Sequence, residues 1–194
     1  MSSKPKVLVF AGSQRANSFN KKLARLAAEA AREAGAESTF VDLRDYPMPI
    51  YDQDIEEREG LPEPAKRFKE VLRSHDGLII VSPEHNSSIS ALLKNAIDWA
   101  SRKADPSEPG LACFAGKVAA LMSASPGALG GLRGLVHLRS ILGNIQVLVL
   151  PDQLAIVKAN EAFDSEGELK DANQQASVAR IAQKLVTTVA KLKG

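Results

Sequence analysis

Nine consecutive residues, Gly12 to Asn20, follow an apolar run and precede a helical pattern. Ser13 and Ser18 offer hydroxyls, Gln14, Asn17 and Asn20 offer amides, and Arg15 is the only cation among them. Ala16 and Phe19 complete the stretch. Free backbone N–H groups at a helix start favour an anion, and a guanidinium matches phosphate oxygens through a pair of parallel hydrogen bonds. The segment therefore reads as a phosphate loop. For Ser18 taken alone, a plain N-cap explains the residue equally well. The glycines of a dinucleotide fingerprint are missing, and the only Gly-Lys pair, Gly116-Lys117, lacks the following Ser/Thr of a nucleotide triphosphatase loop.

Two more segments carry unusual chemistry. Ser82-Pro83-Glu84-His85-Asn86-Ser87-Ser88 combines a strand-stopping proline with groups that can line a flat heteroaromatic edge, Ser87 or Ser88 serving as cap of the next helix. Ser123-Ala124-Ser125-Pro126-Gly127, followed by Gly130 and Gly131, has residues small enough for close backbone approach to a ligand. Each also reads as an ordinary turn. A lone histidine such as His85 is usually neither base nor ligand, and His75 and His137 sit on helical patterns, so neither a catalytic dyad nor a metal site is expected. Cys113 is the only cysteine, which excludes an intrachain disulfide and a cysteine-based metal cluster.

Elements that position these loops are legible from periodicity. Short, near-continuous apolar runs at 6–11, 38–43, 77–82, 117–123 and 145–150 read as buried strands. Between them lie helical patterns at 18–34, from Pro62 or Pro64, at 88–102, 128–142 and about 171–193. Strands apolar on both faces imply a parallel sheet covered by helices on each side. The expected fold is α/β: a three-layer, doubly wound, five-stranded parallel sheet of order 2-1-3-4-5, one domain over residues 1–194. Ligands of such sheets lie beyond the carboxyl ends of the strands, where the strand order reverses, and there the three loops should meet.

Composition limits the partners. With 25 Lys and Arg against 23 Asp and Glu, the net charge of +2 leaves no broad footprint for nucleic acid. No apolar run approaches the length of a signal peptide core or a membrane span. These features are read as those of a cytoplasmic protein. The connection from Arg44 to Gly60 holds Tyr46, Pro47, Met48, Pro49, Ile50 and Tyr51, and Trp99 lies off the centre of its helix's apolar stripe. Both are expected at an interface between copies of the chain.

Together the loops resemble the NADPH-dependent FMN reductase family, which includes quinone, chromate and azo-dye reductases of flavodoxin-like fold. The matching residues are Gly12 to Asn20, Ser82 to Asn86 with Ala91-Leu-Leu-Lys-Asn-Ala-Ile-Asp-Trp99, Ser123 to Gly127, and Val41 to Pro47. His85 stands where members often carry tyrosine, which touches substrate preference more than the cofactor. The resemblance implies that Ser13, Arg15, Ser18 and Asn20, with Gln14, Ala16, Asn17 and Phe19 in the same loop, hold the phosphate of non-covalently bound FMN. It implies that Pro83, Glu84, His85 and Asn86 line the ribityl chain and ring, with Ser123 and Gly127 at the ring's far side. NADPH or NADH would be the donor, and quinones, azo compounds, chromate or free flavin the acceptors, in a ping-pong reaction of a homodimer or homotetramer. The alternative is a flavodoxin-type electron carrier without NAD(P)H oxidation of its own, although such carriers tend to be acidic and this chain has a pI near 8.7. A hydrolase is disfavoured, since no G-x-S-x-G elbow is present.

Overall fold

A computed structural model describes residues 3–194; residues 1 and 2 of the expected domain span lie outside it. In chain order the elements are β1 (Lys6–Ala11), α1 (Phe19–Glu33), β2 (Glu37–Asp42), α2 (Gln53–Glu59), α3 (Glu63–Arg73) and β3 (Gly77–Val81). Next come β4 (Glu84–His85), β5 (Ser88–Ile89), α4 (Ala91–Ser101), β6 (Val118–Ala124), α5 (Leu132–Asn144), β7 (Leu148–Ile156), α6 (Ala159–Ala162) and α7 (Ala172–Leu192). The main sheet is parallel, in the order β2-β1-β3-β6-β7. That is the expected doubly wound order once the two hairpin strands β4 and β5, which form their own ribbon, are set aside.

Alternate strand residues feed two cores. Val7, Val9, Ile79, Val81, Ala120 and Met122 meet α1 and α7 on one face. Leu8, Phe10, Leu78, Ile80, Ala119 and Leu121 meet α3, α4 and α5 on the other. Burial on both faces is why the strands lack polar alternation. The central strands β1, β3 and β6 are nearly inaccessible to water along their length, so their ends are rigid mounts for the loops that follow.

The last strand departs from expectation. It runs to Ile156 rather than stopping at Leu150. Pro151 reads as a strand stop because it cannot donate to a ladder. Here it sits on an edge strand, within a register irregularity between Ala119 and Leu121, where proline is tolerated. Arg139 of α5 donates to the Leu150 carbonyl beside the irregularity at 2.8 Å and to the side-chain Gln153 Oε1 at 3.1 Å.

The 44–60 connection and Trp99 correct the interface expectation. Trp99 is fully buried in its own chain and packs with Leu61 and Ala65. Its indole N–H donates to Pro49 O at 2.8 Å, and Tyr51 meets its ring edge-on at 5.0 Å. Asn95 of α4 grips the same segment twice, accepting from Tyr51 N and donating to Pro49 O, each at 2.8 Å. Tyr46 packs 5.3 Å from Phe68, and Met48 reaches both the Trp99 cluster and the core beneath α3, α4 and α5. The connection is thus a small satellite core with its own helix, α2, and only Ile50 among its large apolar groups stands free in water.

At the carboxyl end of β2, the nearly inaccessible Lys21 of α1 donates to Asp42 Oδ2 at 2.8 Å. Burial raises the Asp42 pKa, but hydrogen bonds from Arg44 and Lys21 outweigh it and hold the value at about 2.

Candidate functional site

The carboxyl ends of β1, β3 and β6 lie side by side, and the backbone continues the ladder past them. Gly12 N donates to Val81 O at 2.9 Å, and Ser82 N donates to Met122 O at 2.9 Å. The loops at Gly12–Ser18, Ser82–Ser90 and Ser125–Gly131 therefore leave the sheet at one edge, as expected. Three polar side chains then bind loop to loop.

Asn20, in the first turn of α1, spans to the third strand. Its Nδ2 donates to Ala124 O at 2.8 Å, and its Oδ1 accepts from Ala124 N at 3.0 Å. Both polar ends of a buried amide are engaged by main chain 104 residues away. Ser90 joins the first and second loops: its hydroxyl donates to Gly12 O at 2.7 Å and accepts from Leu93 N at 3.1 Å. Gly12 permits this approach, because a Cβ there would sit 2.9 Å from Leu93 Cβ. Glu84 joins the second loop to α5. Its carboxylate accepts from Arg133 Nε at 2.8 Å, from Arg133 Nη2 at 2.5 Å and from Gly134 N at 3.2 Å. Burial pushes the Glu84 pKa up, but the Arg133 and Gly134 hydrogen bonds overcome it and leave the pKa lowered.

These bonds revise several expected ligand positions. The Asn20 amide is taken up by Ala124, so Asn20 braces the loops instead of projecting from them. Ser123, fully buried, donates to Gly130 O at 2.7 Å and presents no hydroxyl to the edge. The Glu84 carboxylate turns toward α5, which leaves the main chain of Glu84 as its contribution at the edge. The Phe19 ring stacks on Phe163 at 5.9 Å between centroids and contributes only backbone to the first loop.

The other expected positions differ in exposure. Gln14, Arg15, Ala16 and Asn17 are exposed on the first loop. Arg15 makes no ion pair among the described residues, and its N–H donates to Ser13 Oγ at 3.3 Å. Ser18 occupies the N-cap position of α1 and is 4% exposed, yet its hydroxyl makes no capping hydrogen bond. The plain N-cap explanation therefore fails for it. The second loop is a two-residue hairpin, with Glu84 opposite Ile89 and His85 opposite Ser88. Asn86 and Ser87 both have positive φ, at 50° and 66°, as hairpin turns matching the right-handed strand twist require. Helix α4 consequently starts at Ala91 and is capped by Ser90, not by Ser87 or Ser88. Pro83 is half-buried, His85 and Asn86 are exposed, and Gly127 is exposed on the third loop with its N–H donating to Ser125 Oγ at 3.2 Å.

Ser90 and Arg133 were not singled out from sequence. A serine directly before an apolar helical stripe is a capping signal, so Ser90 was within reach. Arg133 was not, because its partner lies 49 residues earlier on a ribbon whose register no period announces.

A family model described as NADPH-dependent FMN reductase matches residues 5–161. The quinone reductase of Escherichia coli strain K12 is 37% identical over 176 residues, covering 88% of each chain. An NAD(P)H-dependent FMN reductase of Pseudomonas aeruginosa is 36% identical over the full length of both chains. Among solved structures, a flavoenzyme NAD(P)H:(acceptor) oxidoreductase from Paracoccus denitrificans superposes with a TM-score of 0.73 at 26% identity, covering 97% of each chain.

The geometry makes one expectation measurable without any ligand. Asn20→Ala should cost the cofactor-free protein about 2–4 kcal/mol, because it orphans a buried N–H and a buried carbonyl of Ala124 together. Urea unfolding followed by circular dichroism reads this directly. A loss below about 0.5 kcal/mol, the range of a neutral surface change, would deny Asn20 its bracing role.

Proposed function

This chain belongs to the NADPH-dependent FMN reductase family, and on that premise we propose that it binds FMN non-covalently across its three carboxyl-edge loops and passes electrons from NADPH or NADH to a small-molecule acceptor. One observation carries the placement. At the start of α1 the Ser18 hydroxyl makes no capping hydrogen bond, and Arg15, which makes no ion pair among the described residues, stands exposed on the same loop. A hydroxyl without a cap and a guanidinium without an ion pair, together at a helix N-terminus, suit the oxygens of a phosphate.

The residues present fit the cofactor. Ser13, Arg15 and Ser18, with the backbone from Gln14 to Asn17, would hold the phosphate at the N-terminal end of α1. Pro83, the main chain of Glu84, His85 and Asn86 would line the ring from the hairpin, and Gly127 with its neighbours would approach from the third loop. Bound FMN supplies the hydride-accepting chemistry. The chain's own part is to bind and orient, and the bracing by Asn20, Ser90 and Glu84 keeps the loops in register for it. No side chain is assigned an obligatory proton transfer. Quinones are the acceptor class we favour, on the strength of the quinone reductase relatives; azo compounds, chromate and free flavin are further acceptors to test.

We also propose that the active form is at least a dimer, on a basis different from the 44–60 connection. Leu129, Leu132 and Val136 are 48%, 40% and 58% exposed, and they form a row at the third loop and the outer face of α5. An apolar row beside the site is a natural subunit contact. Light scattering of the FMN-bound protein at micromolar concentration should give at least twice 20.8 kDa; a monomer with full NADPH oxidation activity would refute it.

The central experiment is anaerobic. Purified protein loaded with FMN should bleach on addition of NADPH and regain its yellow colour on addition of a quinone. If donor and acceptor share one approach to the ring, initial rates at several quinone concentrations give parallel double-reciprocal lines in NADPH. Failure to bleach would favour an electron carrier, and intersecting lines would refute the shared approach.

Arg15→Ala should weaken FMN binding about ten- to a hundred-fold, the loss of one charge-assisted hydrogen bond to phosphate, with unfolding by urea unchanged. Fluorescence quenching of FMN by the cofactor-free protein measures it. An unchanged dissociation constant would remove Arg15 from the phosphate site.

A further inference from the structure

The Glu84–Arg133 pair joins the ring-facing hairpin to α5, and no role assigned so far uses its charge. The Glu84 side chain is 8% exposed, whereas that of Arg133 is 57% exposed. The carboxylate is anchored at both oxygens, Oε1 by Arg133 and Oε2 by Gly134 N. Helix α5 comes this close because residue 134 is glycine; a Cβ there would lie 3.1 Å from Ser88 O and 3.4 Å from Glu84 Cβ. Glu84 therefore cannot swing into water to dissipate its charge, and Arg133 is the only cationic group it contacts among the described residues.

We propose that Arg133 is a positioning residue whose cation offsets Glu84 beside the flavin site, and so sets how readily that site accumulates negative charge. The proposal rests on the reading that FMN occupies the three loops. Hydride transfer from reduced nicotinamide delivers two electrons and one proton, leaving oxidised nicotinamide and one additional negative charge at the site. A fixed carboxylate on the hairpin opposes that charge, and a guanidinium bound to it cancels the opposition. The pair thereby differs from a mere clip. Removing either half of a clip loosens the same hairpin and weakens oxidised and reduced FMN alike. Removing either half of a compensated pair leaves opposite charges behind.

The test is a spectroelectrochemical titration of the FMN-bound protein at low ionic strength, where the partly exposed Arg133 is least screened, with the dissociation constant of oxidised FMN measured alongside. Arg133→Gln should shift the two-electron midpoint potential to a more negative value, equivalent to about a tenfold loss of affinity for reduced relative to oxidised FMN. Arg133→Lys should recover most of that shift, since it keeps the charge but not the two-pronged geometry. Glu84→Gln, which retains an acceptor for Gly134 N, should shift the potential to a less negative value. Shifts of the same sign in Arg133→Gln and Glu84→Gln, no shift in either, or a lysine variant no better than glutamine would each overturn the proposal. If the unaltered protein does not bind FMN, the reading of the site itself fails and this inference falls with it. Bound FMN with unresponsive potentials defeats this inference alone.

Discussion

Asn20 closes a link on which the functional edge depends. A parallel sheet delivers its loops to one edge but does nothing to hold them against one another, since each leaves its strand as a free backbone excursion. Asn20 spends both ends of its amide on Ala124, tying the start of α1 to the end of β6 across the intervening β3. The interaction is buried, so each unmade bond would carry its full desolvation penalty. Ser90 on Gly12 and Glu84 on α5 extend the same device to the middle loop. The polar residues of the edge thus divide into those that hold the frame and those left free to meet a ligand.

That division gives the edge its chemical character. Ser13, Arg15 and Ser18 lie on a loop whose far end is pinned by Asn20, so the groups proposed to bind phosphate at the N-terminal end of α1 are held in place by the fold itself. The hairpin carrying His85 and Asn86 is a turn of two positive-φ residues seated on α5, stiffer than an open loop of equal length. Pre-organisation of this kind suits a protein whose cofactor performs the electron chemistry, because the protein's contribution is placement and charge.

The satellite core around Trp99 shows a different use of the same economy. Tyr46, Met48 and Tyr51 look too apolar for a solvent-exposed connection, and they are; the chain resolves this by folding them onto α3 and α4. Pro49 O accepts from both Trp99 and Asn95, so one carbonyl fastens the connection to α4. Ile50 is left exposed on this connection, and Leu129, Leu132 and Val136 are exposed beside the third loop.

Sequence by itself determined the layering, the parallel sheet, its strand order and the edge at which the three loops meet. Those follow from periodicity: apolar runs without alternation must be buried on both faces, and βαβ connections place successive loops at one end. It also determined which polar groups the first loop carries, because an arginine, serines and amides between a buried strand and a helix are a local arrangement. Tertiary structure alone decided which polar side chains are free. Asn20 meets Ala124 across 104 residues, Glu84 meets Arg133 across 49, and Trp99 meets Pro49 across 50. Whether a hydroxyl or amide faces a ligand or a distant carbonyl depends on distances of a few tenths of an ångström between segments that no local pattern relates, so Asn20 and Ser123 read as ligands in sequence and stand as braces in the fold. The same reason let β7 run past Pro151: an edge position and the guanidinium of Arg139 are facts of packing, and a proline in the sequence announces neither.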